Sequence, residues 1–85
     1  MTHWYVYMAR ARTGRYYTGI SPNPKLRLLD HNNKRGSKLA HDQGPFVLVY
    51  ISLSFPDQKA ARKREAQIKK WTRDKKEKLI NGEWK

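Results

Sequence analysis

An 85-residue chain without cysteine can hold neither a disulfide nor a thiolate metal site, and it has room for one thin core in a single domain over residues 1–85. Nineteen Lys and Arg against seven Asp and Glu leave a formal charge of +12, beyond the roughly 2–8 charges that solubility asks of a small domain. No apolar run of about 18 residues offers a membrane span.

The charge points to a polyanion, because each neutralised phosphate releases condensed counterions. A membrane surface is the weaker match: a basic amphipathic helix is present, but no long Leu/Phe face goes with it. Met1-Thr2-His3-Trp4 leads directly into a strand-like pattern with no basic-then-apolar leader, so the expectation is a soluble, cytoplasmic protein.

Residues Trp4–Arg10 and Arg15–Ile20 are rich in Tyr, Val, Trp and Thr, the usual strand formers. Ala11-Arg12-Thr13-Gly14 between them reads as a hairpin turn. Ser21-Pro22-Asn23-Pro24 ends the second strand; Asn23 is a helix cap and Pro24 suits a first turn. A helix is expected from Pro24 to about Lys34, with Leu26 and Leu29 as its apolar contacts and Gly36 just past its end. Ser37–Pro45 reads as a loop. Phe46–Leu53 is short, apolar and β-branched, which predicts a strand buried on at least one face. Phe55-Pro56-Asp57 stops it, and Asp57 caps a helix running to about Trp71. A last helix over Arg73–Ile80 stops at Asn81-Gly82, and a polar tail ends at Lys85. The order ββαβαα predicts an α+β fold, a three-stranded antiparallel sheet carrying helices.

Three features exceed what a core requires. Tyr5 and Tyr7 share one face of their strand, and Tyr16 and Tyr17 take opposite faces of theirs. One tyrosine from each strand can therefore meet on a common surface, either as ordinary cross-strand aromatic packing or as chemistry. Arg27 and His31, four apart on a helix, share a face; they form a solvated polar stripe, or they hold a phosphate and handle a proton. Glu65 falls within or beside the apolar stripe Ala61, Ile68, Trp71, among Arg62, Lys63, Arg64, Lys69 and Lys70. A carboxylate there is costly unless paired. It either pairs with one of those cations or receives a hard divalent ion that keeps several waters.

Tyr5-Val6-Tyr7, then nine residues, then Tyr17-Thr18-Gly19 resembles the two halves of the GIY-YIG nuclease superfamily motif. Asn23-Pro24-Lys25-Leu26-Arg27, His31-Asn32 and Glu65 fall where that superfamily has its arginine, its helix His-Asn and its metal-binding glutamate. The resemblance covers nearly the whole chain and is strongest to stand-alone bacterial members, which are similar in turn to structure-selective repair nucleases. It implies one-metal hydrolysis of a phosphodiester, with Glu65 binding Mg²⁺ or Mn²⁺ and Arg27 stabilising the phosphate charge. Tyr7 and Tyr17 would flank the attacking water, one as general base, while His31 takes the base role or orients a tyrosine. The chain departs from the motif in Tyr5-Val6 for Gly-Ile, in Thr18 for Ile, and in Ile20, where some members carry a lysine. Asn81 matches a recurrent family asparagine and equally a helix stop.

The resulting expectation is a magnesium- or manganese-dependent endonuclease on DNA rather than RNA, linked to repair or recombination. Lys25, Lys34, Arg35, Lys38, Arg62 and Lys69 would track the backbone. No helix carries Asn, Gln and Arg at major-groove spacing, so selectivity for shape is expected. The rival is a binding module on the same fold with catalysis weak or lost. A third reading, an RNA-associated protein, would use exposed aromatics to stack on bases; Trp4, Trp71 and Trp84 are the candidates, with Trp4 and Trp71 expected in the core.

Overall fold

The computed structural model describes residues 2–33 and 45–83. Strands β1 (Tyr5–Arg10) and β2 (Tyr16–Ser21) precede α1 (Pro24–Asn33), followed by β3 (Val47–Ile51), α2 (Gln58–Lys69) and α3 (Arg73–Ile80). This is the expected ββαβαα order. The sheet is antiparallel with β1 in the middle, in the order β2-β1-β3, and the fold is α+β. Among the described residues no helix is long and apolar enough to cross a membrane.

The hairpin closes through Gly14, whose N–H donates to the Ala11 carbonyl at 2.9 Å while Ala11 N–H donates to Arg15 at 2.8 Å. Gly14 has φ +92°, the left-handed position of a three-residue hairpin loop, where a Cβ is strained. Each helix then starts on a side-chain cap. Asn23 Oδ1 accepts from Leu26 N–H at 3.2 Å, Asp57 Oδ1 from Ala60 N–H at 2.8 Å and Thr72 Oγ1 from Lys75 N–H at 3.3 Å. The first two caps follow from the sequence pattern; Thr72 is an addition.

The two-residue period of β1 divides the interior. Val6 and Met8 point to one face, where Ala61 and Ile68 of α2 and Leu79 of α3 complete a buried cluster. Ala9 and Ala11 belong to the other face, with Leu28 of α1 and Phe46. Helices therefore cover both sides of a three-stranded sheet, α1 on one and α2 with α3 on the other.

Three expectations are corrected. Leu26 and Leu29 are 53% and 56% exposed, and α1 docks through Pro24 and Leu28 instead. Leucines at 26, 28 and 29 cannot all face inward on a 100° helix, and the docking onto Phe46 and Ala9 selects the middle one. The third strand is shorter than Phe46–Leu53. Phe46 is held by a side chain of α1, and at the other end Ser52 N–H donates to Val6 at 2.8 Å while the Ser52 hydroxyl accepts from Val6 N–H at 2.9 Å. Helix α2 ends at Lys69 rather than Trp71, since Lys70 and Trp71 N–H groups donate three residues back, to Gln67 and Ile68, the tightened last turn of a helix. Lys34, Arg35, Gly36 and Lys38, and the loop before Pro45, lie outside the described residues.

Burial sets the stability expectation. Ile68→Ala opens a cavity beneath β1 and costs about 2–5 kcal/mol. Leu26→Ser and Leu29→Ser each change stability by no more than about 0.5 kcal/mol. Urea unfolding midpoints of the three variants check the contrast.

Candidate active site

Pairing register explains how two tyrosines reach one face. Tyr7 lies opposite Gly19, and Ala9 opposite Tyr17. Tyr7, Ala9, Tyr17 and Gly19 therefore share the face that α1 covers, and Tyr16 takes the other. The rings lean in opposite directions. That of Tyr7 lies across β2: a Cβ built on Gly19 would stand 2.7 Å from the Tyr7 hydroxyl and 2.8 Å from Cζ. Only glycine leaves room for this crossing. The Tyr7 hydroxyl has no hydrogen-bond partner among the described residues. Tyr17 leans the other way over the small Ala9 and meets Phe46 edge-on, with ring centroids 5.3 Å apart at 89°.

Phe46 also touches His31, at 4.9 Å between ring centroids. One buried ring thus contacts both candidate proton carriers, and His31 makes no hydrogen bond to Tyr17. Asn32 anchors this arrangement. Its Oδ1 accepts from Phe46 N–H at 2.9 Å and its Nδ2 donates to the Phe46 carbonyl at 3.0 Å. Both backbone groups of Phe46 are thereby satisfied by one side chain of α1. Arg27, one turn before His31, is exposed, and its guanidinium has no partner among the described residues. In the sequence Phe46 has the character of an ordinary strand residue; its part at the site follows from a contact across 14 residues that no local pattern announces.

Glu65 sits on α2, on the opposite side of the sheet from Tyr7 and Tyr17. Ala61 and Ile68 point straight at the sheet, both fully buried. At 100° per residue, Arg64 and Glu65 then occupy the two flanks. Arg64 is on the β3 flank, where its charge bears on Tyr50; burial pushes the Tyr50 phenol above its ordinary value of 10.0, and Arg64 opposes that shift. Glu65 consequently takes the flank toward β2, the strand that Tyr7 overlies. No hydrogen bond or ion pair joins Glu65 to Tyr7, Tyr17 or Arg27. Its carboxylate, 17% exposed, pairs with Lys69 at 3.6 Å.

Among the described residues no three His, Asp or Glu gather as a metal cluster. A lone carboxylate still fits a hard ion of the Mg²⁺ kind, which dehydrates reluctantly and keeps several waters. The Lys69 partner is half exposed, and ion pairs of that kind are worth about 0–1 kcal/mol, so displacing it costs little. Lys25, Arg62 and Lys69 are exposed. Trp4 and Trp71 are half-buried against the core, and Trp71 already carries Arg64 and Lys75 over its ring at 4.9 and 4.3 Å. Trp84 lies outside the described residues.

A family model described as the GIY-YIG catalytic domain matches residues 3–78. The UPF0213 protein SSP2268 of Staphylococcus saprophyticus is 37% identical over 81 residues, which is 95% of this chain and 98% of that one. The UPF0213 protein CPE1444 of Clostridium perfringens is 38% identical over 92% of this chain and 83% of its own. The solution NMR structure of the UPF0213 protein BH0048 from Bacillus halodurans is similar with a TM-score of 0.57 and 33% identity, covering 93% of this chain and 83% of that one. These names state no activity.

Two substitutions probe the geometry. Gly19→Ala drives a methyl into the Tyr7 ring; we expect that ring to swing off β2, seen as changed Tyr7 ring proton shifts, with a loss of about 1–3 kcal/mol from overpacking. Asn32→Ala leaves two buried backbone groups of Phe46 unpaired and costs about 1–3 kcal/mol; the nuclear Overhauser contacts between the Tyr17 and Phe46 rings weaken with it.

Proposed function

The chain belongs to the GIY-YIG family, whose catalytic domain is a nuclease domain acting on nucleic acid, and from that premise we propose that it is a metal-dependent endonuclease that hydrolyses DNA phosphodiesters. The observation that carries this reading is the Tyr7–Gly19 crossing. It leaves a phenol without a hydrogen-bond partner over the edge strand, on the face shared with Tyr17, while the sole acid of α2 looks toward the same edge from the other side.

In this reading each side chain has one task. Arg27, exposed on α1, binds the scissile phosphate and offsets the charge that builds on its oxygens. Tyr7 and Tyr17 hold the attacking water between two phenol oxygens, and one of them accepts its proton. A phenol ordinarily titrates at about 10, so the base needs a cation close by; with Ile20 after Gly19, the metal, Arg27 or another cation such as Lys25 would supply it. His31 holds its ring against Phe46 and serves as the alternative acceptor. Nucleases of this family typically use divalent ions; Glu65 would hold Mg²⁺ or Mn²⁺, which supplies a Lewis acid for the phosphoryl oxygens. Lys25, Arg62 and Lys69, with Lys34, Arg35 and Lys38 beyond the described residues, draw in the backbone. DNA is favoured over RNA because the half-buried, cation-covered Trp71 is a poor stacking platform for single-stranded bases. Selectivity for branched or otherwise irregular DNA, a role in repair or recombination, and action in the cytoplasm complete the proposal.

One observation favours a second reading, a nucleic-acid-binding module with weak or lost catalysis. The Glu65–Lys69 pair already satisfies the carboxylate without a metal.

The two readings part in one experiment. Branched and single-stranded DNA and RNA are incubated with the protein, with and without Mg²⁺ or Mn²⁺. Cleavage that requires the ion and falls on the order of 10²-fold or more in Glu65→Gln and Tyr17→Phe, with DNA affinity retained, is the expected result. Retained affinity with no cleavage under any ion establishes the binding module.

A further inference from the structure

Beyond the candidate active site, the hairpin turn meets the first residue of α3 in an open notch of about 420 Å³ lined by Thr13, Gly14, Arg15 and Arg73. Arg73 is held in place here. Its Nη1 donates to the Gly14 carbonyl at 2.9 Å, its Nε faces the Glu77 carboxylate at 3.6 Å, and the guanidinium lies over the Tyr16 ring at 4.6 Å. The remaining terminal nitrogen, Nη2, is the nearest atom to the open side of Gly14, 3.9 Å from where a Cβ would stand.

A guanidinium fixed on three sides loses little further freedom when it binds, and its planar fork suits a phosphate. Arg15 adds a second charge: it is exposed, and its side chain has no partner among the described residues. Against these two cations stands Glu77, whose other oxygen accepts from the Tyr16 hydroxyl at 3.4 Å. The glycine keeps the backbone bare at the floor of the notch. The notch therefore combines net positive charge, an oriented donor and an open approach.

We propose that this notch is a second phosphate subsite that takes a backbone phosphate of the nucleic acid away from the one that is cut. This deepens the nuclease reading and rests on it for the identity of the ligand. The notch lies at the turn that opens β2, on the side of Tyr16 and α3, whereas Tyr7 and Tyr17 lie on the α1 side, so a strand that uses both subsites passes around the β2 edge of the sheet. The subsite gives a small chain a second fixed point on its substrate, which sets the direction in which the strand crosses the candidate active site.

The test uses binding alone, without divalent ions, so that it does not depend on catalysis. The affinity of a fluorescent branched DNA is measured by anisotropy between about 50 and 200 mM salt for the wild type, Arg15→Ala and Arg73→Gln. Arg15→Ala removes no hydrogen bond or ion pair among the described residues and separates binding from folding; Arg73→Gln also loosens α3 from the hairpin. The expected result is a loss of about 3- to 10-fold at low salt for Arg15→Ala, with a salt slope shallower by about 0.9, and a larger loss for Arg73→Gln. Addition of the DNA also shifts the Arg73 side-chain Nε–Hε resonance. An unchanged slope and affinity in Arg15→Ala, an unmoved Arg73 resonance, or a wild type that does not bind DNA overturns the subsite. Binding through the notch by a protein that cleaves nothing leaves the subsite standing and removes the nuclease reading.

Discussion

Everything in this structure hangs on the alternation of one strand. β1 pairs on both sides, so its side chains cannot slip by one residue without exchanging the two faces of the sheet. Val6 and Met8 anchor α2 and α3 on one face; Ala9 and Ala11 receive α1 on the other. Tyr7, between the first pair, is forced onto the α1 face. Its ring can lie flat across the neighbouring strand only because residue 19 has no side chain. The small Ala9 plays the corresponding part for Tyr17 and opens the way to Phe46. Core packing and the disposition of the candidate site are therefore two consequences of one register.

Charge organises what surrounds this frame. Glu65, Asp74 and Glu77 each pair with a cation one turn away on the same helix, at 3.5–3.6 Å, and Asp57 is spent on a cap. Pairs at this spacing contribute a few tenths of a kcal/mol each. They stabilise the helices slightly, while other cations among the described residues, such as Lys25, Arg27 and Arg62, stay exposed. The Glu65 pair is the consequential one. It keeps a poorly exposed carboxylate satisfied in the free protein, and it is weak enough to yield to a stronger cation.

Long-range side-chain contacts among the described residues tie helices to the strands. Asn32 reaches 14 residues ahead to hold the backbone of Phe46, and Arg73 reaches 59 residues back to the hairpin. The first joins α1 to β3, and the second joins α3 to the turn between β1 and β2. Each couples a helix to the strand surface beside which it lies, and each lies next to a side chain of a proposed site: His31, packed on Phe46, in the first case, and Arg73 itself in the second.

Local chemistry alone was enough to determine the element order, the caps at Asn23 and Asp57, the bounds of Arg73–Ile80, the glycine of the turn, and the placing of Tyr16 and Tyr17 on opposite faces of their strand. Each of these depends on periodicity or on a side chain bonding its own neighbours, within a few residues. Which leucine of α1 enters the core, where the third strand ends, what Phe46 touches and which flank of α2 carries Glu65 were decided only by the tertiary structure. The physical reason is that a short helix with three leucines has several orientations of similar hydrophobic energy. The choice among them is made by the partners it meets, Phe46 and the small alanines of β1, which lie far away along the chain.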